Sequence, residues 1–366
     1  MQFDPSLYYP VFIYSLLILS LGYSVYLSRQ TVNWIQQNSN SNILLIYVFL
    51  FILFVGLRPI SGVYFGDTSN YALMYNGFII GNRTLNLESS EWVFEWMQYQ
   101  CSKIMDVHGF FLLVEVFYVI PVLWACYRFV PNHYILMFLF CMGAFSFFSY
   151  GTNGIRNGMA CSLIIAALAY INNSTVINKI IAGILCFLAF NIHRSTALPI
   201  ICIVASFFVK DTRYIMGWWL FSIVLSLIAG GTIEAFFTGL GFDDRMQGYS
   251  SENIDAAMFS STGFRWDFLL YSAMPIVLGY YVIFIRKIWD KSYLLLLNTY
   301  ILCNSFWVMM IRASYSNRFA YLSWFMYALV LAYPCLKLPI WKNQGTNTAL
   351  IFMGHLGFTL FMYWFM

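Results

Sequence analysis

Charge is what this chain lacks. Only 9% of its 366 residues are Asp, Glu, Lys or Arg, against about 25% in a soluble domain. With 61% hydrophobic residues, it has too little charge to clothe a water-soluble surface. The expectation is an all-α polytopic membrane protein, one integral domain over 1–366. Cysteine offers no framework either: seven of the eight lie in apolar runs, only Cys101 falls in a polar loop, and no CxxC occurs. That excludes a sequence-visible disulfide lattice or thiolate metal site. Also missing are GxxxxGK, GxGxxG after a strand, and HExxH. No cofactor, metal or nucleic-acid partner is therefore expected.

Long apolar runs are what the chain has. A spanning helix needs about 20 such residues. Twelve candidates fall at 6–28, 43–57, 110–127, 134–150, 155–171, 178–192, 195–209, 214–231, 267–285, 293–311, 319–334 and 347–365. The opening MQFDPSLYYP carries no basic segment and no cleavage site follows, so the first run reads as an uncleaved span. Arg29 follows that span, and alternation from there puts ten basic residues on one side, with only Asp211 and Asp290 as acids. That side is inside by the positive-inside rule, with both termini outside. Two longer segments, 58–109 and 232–266, fall outside.

The cations then sort by type. Six of seven lysines lie inside, while outside stand eight arginines: Arg58, Arg83, Arg156, Arg194, Arg245, Arg265, Arg312 and Arg318. Lysine suffices to hold topology. A planar guanidinium fork is preferred where phosphate or carboxylate oxygens must be gripped. Arg58, Arg156, Arg194, Arg265, Arg312 and Arg318 sit at or beside span ends, where a cation either snorkels to the headgroups or meets a partner. Arg156 stands in GTNGIRNG, Gly151 to Gly158, between two apolar runs.

From Lys179 to Lys210 the chain enters, turns at Asn191–Ser195 (NIHRS) and returns. Each leg has about 15 residues, roughly 22 Å of helix, against a hydrocarbon layer about 30 Å thick. His193 and Arg194 are therefore expected in a recess with Arg156 and Arg318, a cationic, partly dry place suited to a polyanion with a greasy tail. His193 reads either as a general base or as a turn histidine bonding a carbonyl. Asp67, in FGDTSNY, reads as a catalytic carboxylate, an arginine partner or a turn residue. In ESSEWVFEWMQYQCSKIM, Ser89 or Ser90 caps a helix with Glu91 in its first turn. Trp92, Trp96 and Tyr99 form a stripe suited to the membrane interface or to packing on the span mouths.

Five segments in order resemble the EpsG-type, Wzy-like polysaccharide polymerases. GLRPISGVYFGDTSNYALMY resembles that family's early signature, matching Arg58, Gly66, Asp67 and Tyr71. GIRNGMACSLIIAALAYI resembles its arginine-led middle helix and matches Arg156, while NIHRSTALPII resembles its histidine turn and matches His193. DDRMQGY matches the loop residues Arg245 and Tyr249, and SNRFAYL the late Arg318. The segment SGVYFGD is longer than the compact family form.

The resemblance implies glycosyl transfer at the periplasmic face of a bacterial inner membrane, in O-antigen, capsule or exopolysaccharide synthesis. A growing glycan passes from undecaprenyl pyrophosphate to a lipid-linked repeat unit. Membrane lipids and a chain-length regulator are the implied partners. His193 is the first expected base and Asp67 the second. Arg156 and Arg318 are the expected pyrophosphate clamps, with Arg58 and Arg194 supporting, and Arg245, Tyr71 and Tyr249 complete the binding set. Rival readings are a twelve-helix flippase or transporter, a metal-dependent transferase acting on lipid-phosphate sugars, and an O-antigen ligase.

Overall fold

A computed structural model describes residues 3–172, 175–239, 263–313 and 316–365; among these the regular structure is all helix, with no strand. The first helices are α1 (Tyr8–Ser28), α2 (Asn42–Gly56), α3 (Gly62–Phe65), α4 (Thr68–Ile79), α5 (Trp92–Cys101) and α6 (Val107–Phe129). The middle holds α7 (Tyr134–Met142), α8 (Phe147–Thr152), α9 (Ile155–Ile171), α10 (Val176–Ile192) and α11 (Ala197–Phe208). The last are α12 (Thr212–Gly239), α13 (Trp266–Tyr280), α14 (Lys291–Met309), α15 (Asn317–Lys337) and α16 (Gln344–Phe365).

Among the described residues, seven segments qualify by length and composition as membrane spans: those of α1, α6, α12, α13, α14, α15 and α16. The chain is thus a multi-pass membrane protein. The other apolar helices are shorter, 10–17 residues, at Asn42–Gly56, Pro131–Met142, Ile155–Ile171, Val176–Ile192 and Arg194–Phe208. One expected span is not continuous. The run 134–150 breaks after Met142, and α8 resumes at Phe147. Gly143 and small neighbours weaken the helix there. The freed carbonyls find partners on α16: Thr359 Oγ1 donates to Gly143 O at 2.7 Å, and His355 Nε2 donates to Phe140 O at 2.9 Å. Irregular backbone at such depth is tolerated because it is buried in protein.

In lipid, helices associate through close packing and polar links, because burying apolar surface gains little there. Helix α9 is the centre, with nearly every residue from Ile155 to Ala169 buried, and it packs on α6 and α10. Its Ala160, Cys161, Ser162, Ala166 and Ala167 are small enough for neighbours to approach closely. At Gly56, a Cβ would lie 2.7 Å from Leu112 Cδ1, so α2 seats directly on α6. Polar links stitch the second half: Trp219 Nε1 donates to Asn304 Oδ1 and Trp324 Nε1 to Ser272 Oγ, each at 2.8 Å. Buried Gln344 accepts from the amides of Ile340 and Trp341 and donates to the carbonyls of Cys335 and Leu338, tying α15 to α16.

The polar segment 58–109 folds into α3, α4 and α5. These stack on one another and on α6 and α10. Helix α5 buries Phe94, Gln98 and Cys101, while Trp96 is 45% exposed. Of the stripe read from the sequence, Val93 and Met97 pack against the core while Trp96 faces outward, as the interface alternative has it. Of the other polar segment, α12 continues to Gly239.

Candidate functional site

The site forms where three separate stretches meet: the start of α4, the turn before α5, and the ends of α9 and α10. Gly66 adopts φ +49°, and a Cβ on it would lie 2.3 Å from Asn153 Oδ1. Only glycine fits that left-handed, close-packed position. The Asn153 side chain accepts from the Asp67 amide at 2.8 Å, which locks the start of α4 to the turn before α9. Asp67 is the N-cap of α4 without a side-chain cap bond, and it lies within electrostatic reach of Arg156.

Arg156, in the first turn of α9, faces Glu91. Its Nη1 is ion-paired with Glu91 Oε2, and its Nε donates to the Tyr71 hydroxyl at 3.1 Å. The guanidinium also lies over the rings of Tyr71 (5.4 Å) and Phe94 (5.8 Å), a cation–π setting. The second oxygen of Glu91 stands 2.8 Å from His193 Nδ1 and accepts from the Arg194 amide at 3.4 Å. Glu91 thus bridges α9 to the turn between α10 and α11. The side chains of Arg156, Glu91 and His193 are 17%, 18% and 21% exposed, so the cluster is mostly dry yet reachable.

The charge of this bridge is firm. Burial alone would raise the Glu91 carboxyl, but His193, Arg156 and the Arg194 amide hold it down at about 2. The anion is favoured because cations and donors surround it. Glu91 precedes α5 as its N-cap residue and is not in the first turn. Ser89 Oγ accepts from its amide at 3.4 Å, and Trp92 Nε1 donates to Asn191 Oδ1 at 2.8 Å, fixing the strap across the mouth of the α10–α11 hairpin. That hairpin is short: α10 has 17 residues and α11 has 12, about 26 and 18 Å of helix.

Arg58 lies elsewhere. It is 1% exposed and sits beneath the turn, donating to Val55 O (2.9 Å), Thr68 Oγ1 (3.2 Å) and Thr152 O (3.0 Å). Phe111 lies 5.0 Å from it, and the buried Glu115 carboxyl lies within electrostatic reach. Burial brings its pKa down to about 10, which still leaves it a cation at neutral pH. Arg58 is therefore a brace under the site, without access to the opening.

Arg194 contributes its backbone amide, and its residue is exposed. Arg318 is also exposed and lies within electrostatic reach of Tyr150 and Tyr321. Asn157 Nδ2 donates to the Tyr150 hydroxyl at 3.4 Å, so Tyr150 stands between the Arg156 turn and Arg318. Beside it opens a cleft of about 1100 Å³, counted to its mouth and lined by Tyr9, Tyr64, Ser149, Asn153, Tyr321 and Tyr363 among others. Arg245 and Tyr249 lie outside the described residues. Of the unmatched arginines, Arg265 pairs with Asp267 at 2.6 Å and Arg312 lies over Phe264 at 5.8 Å.

The structure thus brings Arg156, His193, Tyr71 and Asp67 into one neighbourhood and places Arg58 below it. Sequence reasoning missed Glu91 as their connector. Nothing local separates Glu91 from Glu88 or Glu95, and only the fold selects it. Among the described residues no three His, Cys, Asp or Glu side chains gather as metal ligands.

The arrangement has a recognisable chemical logic. A carboxylate close to Nδ1 favours the tautomer protonated there, which leaves Nε2 as the nitrogen that takes a proton. A guanidinium on the same carboxylate stands ready for an anion. Against known proteins, the model of the EpsG family matches residues 41–366. No curated protein matches the chain, and no solved structure does.

Proposed function

The chain belongs to the EpsG family, as the match over residues 41–366 shows, and we propose that it polymerises a polysaccharide from lipid-linked repeat units. The donor is a growing glycan on undecaprenyl pyrophosphate and the acceptor is the terminal sugar of a new lipid-linked unit. The reaction occurs at the periplasmic face of the inner membrane, with the five shorter apolar helices completing the bundle. One observation carries this reading: Glu91 joins Arg156 and His193 in a single, mostly dry cluster.

His193 Nε2 takes the proton from the acceptor hydroxyl. The freed oxygen attacks the anomeric carbon of the donor, and the bond between that carbon and the diphosphate oxygen breaks. The electron pair leaves with the diphosphate, whose growing charge Arg156 stabilises, with Arg318 assisting from the Tyr150 side. Glu91 keeps the imidazole aimed and shares Arg156 with the incoming phosphate. Arg58 acts from below by holding the Thr152 carbonyl and the start of α4. Arginine supplies the charge neutralisation, so the chemistry is metal-independent in this reading.

The test is genetic and chemical together. Arg156→Ala and His193→Ala each abolish long-chain polymer and accumulate lipid-linked repeat units, by a factor of about 100 or more, the usual loss for removing a transition-state donor. Membrane insertion, followed by immunoblot of the membrane fraction, stays normal. Normal chain-length ladders in both variants would end the assignment.

A further inference from the structure

The second half of the bundle contains a crevice that the chemistry above leaves unused. Helices α13 and α16 each pack on α15, and between them lies an apolar space of about 1310 Å³, counted out to its open side. Its rim is greasy and outward-facing, with Leu270 61% exposed and Val277 62% exposed. Its floor is a run of stacked rings. Tyr271 lies parallel to Tyr327 at 4.0 Å and to Phe358 at 4.4 Å, and Tyr327 stacks on His355 at 5.3 Å.

The crevice has identifiable causes. Pro275 sits inside α13, and α13 passes into a π-helical stretch, Tyr281–Ile285, at the inner end of the crevice. Both features bend helices away from neighbours, and π segments recur at functional positions. On the facing helix, Gly354 leaves its side of the crevice without a side chain, and a Cβ there would meet nothing within 4 Å. The near end of the crevice leads toward the site. Phe358 contacts Phe145 at 6.1 Å between ring centres, and Phe145 also lines the tyrosine-rich cleft that includes Tyr321, the tyrosine beside Arg318.

We propose that this crevice holds the polyprenyl chain of a lipid-linked substrate. The assignment rests on the polymerase reading, which supplies a lipid substrate. Position argues for a lipid chain: the crevice runs along spanning helices and opens sideways, where the bilayer is the only solvent. Continuity argues for this lipid: a chain seated there has its headgroup at the tyrosine-rich cleft, within reach of Arg318. Packed rings along the floor suit a methyl-branched, unsaturated chain that lies flat on them. The crevice therefore fixes the direction from which the diphosphate enters.

The glycines of α16 provide a matched test. A Cβ at Gly354 meets no protein atom within 4 Å, so Gly354→Leu projects its side chain into the crevice, and it raises helix propensity. Gly357→Leu, three residues on, is the control: a Cβ there also meets nothing within 4 Å, and Gly357 does not line the crevice. Binding is read on the full-length purified protein by native mass spectrometry with undecaprenyl phosphate, and with phosphatidylethanolamine as the bulk-lipid arm.

Gly354→Leu is expected to weaken undecaprenyl phosphate binding about tenfold, the cost of excluding as few as two methylenes from an apolar site. Gly354→Ala falls between, and Gly357→Leu matches the parent. Phosphatidylethanolamine retention is unchanged throughout. Parent-like undecaprenyl phosphate binding in Gly354→Leu would overturn the assignment. So would equal loss of both lipids, which would make the crevice a seat for bulk acyl chains. The two readings fail separately. Normal polymer in Arg156→Ala and His193→Ala with lost chain binding in Gly354→Leu sinks the catalytic roles given to those two residues and keeps the crevice. The converse sinks only the crevice.

Discussion

Arg58 and Arg156 are both arginines beside the ends of apolar helices, and the sequence offers the same reason to notice each. The fold treats them oppositely. Arg58 is 1% exposed and spends its donors on two carbonyls and a threonine hydroxyl. The Arg156 side chain is 17% exposed and is held by a carboxylate, a tyrosine hydroxyl and two rings. An arginine bonded mainly to backbone is a brace, because its partners cannot be displaced. An arginine bonded to an ionised side chain at an opening can exchange that partner for a phosphate.

The sharpest way to break this contrast is Arg58→Ala. It removes the guanidinium that Thr68 Oγ1 and the carbonyls of Val55 and Thr152 accept from, leaving Thr152 O with the Thr68 hydroxyl alone. Removing one partner from such a buried hydrogen-bonded set costs about 1–3 kcal/mol. The expected result is a sharply lower yield of folded protein and a lower melting temperature in detergent, with Arg58→Lys only partly restored. A stable but inactive Arg58→Ala would place Arg58 with Arg156 and remove the distinction.

A middle-sized effect tests Glu91. Its folded value of about 2 lies below the ordinary 4.5, so its bridging contributes fully above pH 4.5 and is lost as pH falls toward 2. Protection factors of the amides at the α5 start, corrected for intrinsic exchange, should be flat from pH 7 to 5 and fall below about pH 4. In Glu91→Gln that acid dependence disappears, the protein stays folded, and polymer output falls. An unchanged acid profile in Glu91→Gln would show that the bridge does not hold the strap.

The smallest effect belongs to Arg83→Ala. Arg83 pairs with Glu95 at 3.1 Å with a third of its side chain exposed. Such pairs contribute less than about 1 kcal/mol. Melting temperature and chain-length ladders should both stay near the parent. A large loss of polymer would mean that the site extends along α5.

Much of this was legible in the chain. Helical membrane character follows from scarce charge and long apolar runs, and the distribution of arginine picked out Arg156 and its neighbours. The position of the histidine turn could be read because two apolar runs, 178–192 and 195–209, flank it, and it does join α10 to α11. Other features were not legible, for stated reasons. The break at Gly143 looks like continuous apolar helix, because the groups that satisfy its carbonyls, His355 and Thr359, lie over 200 residues away. The buried face of α5 depends on which neighbours it meets, and its own periodicity left open whether the stripe packs or faces the membrane interface. Glu91 resembled any loop acid until α9 and α10 converged on it.

Composition and cation type settle that this chain is a helical bundle in a bilayer and that arginine gathers at certain helix ends, because transfer free energy acts residue by residue. They do not settle which arginine is buried as a brace and which faces a displaceable carboxylate. Nor do they reveal that Pro275 and Gly354 hold a crevice open. Those outcomes depend on distances between segments far apart in the chain, and such distances exist only once the helices have packed.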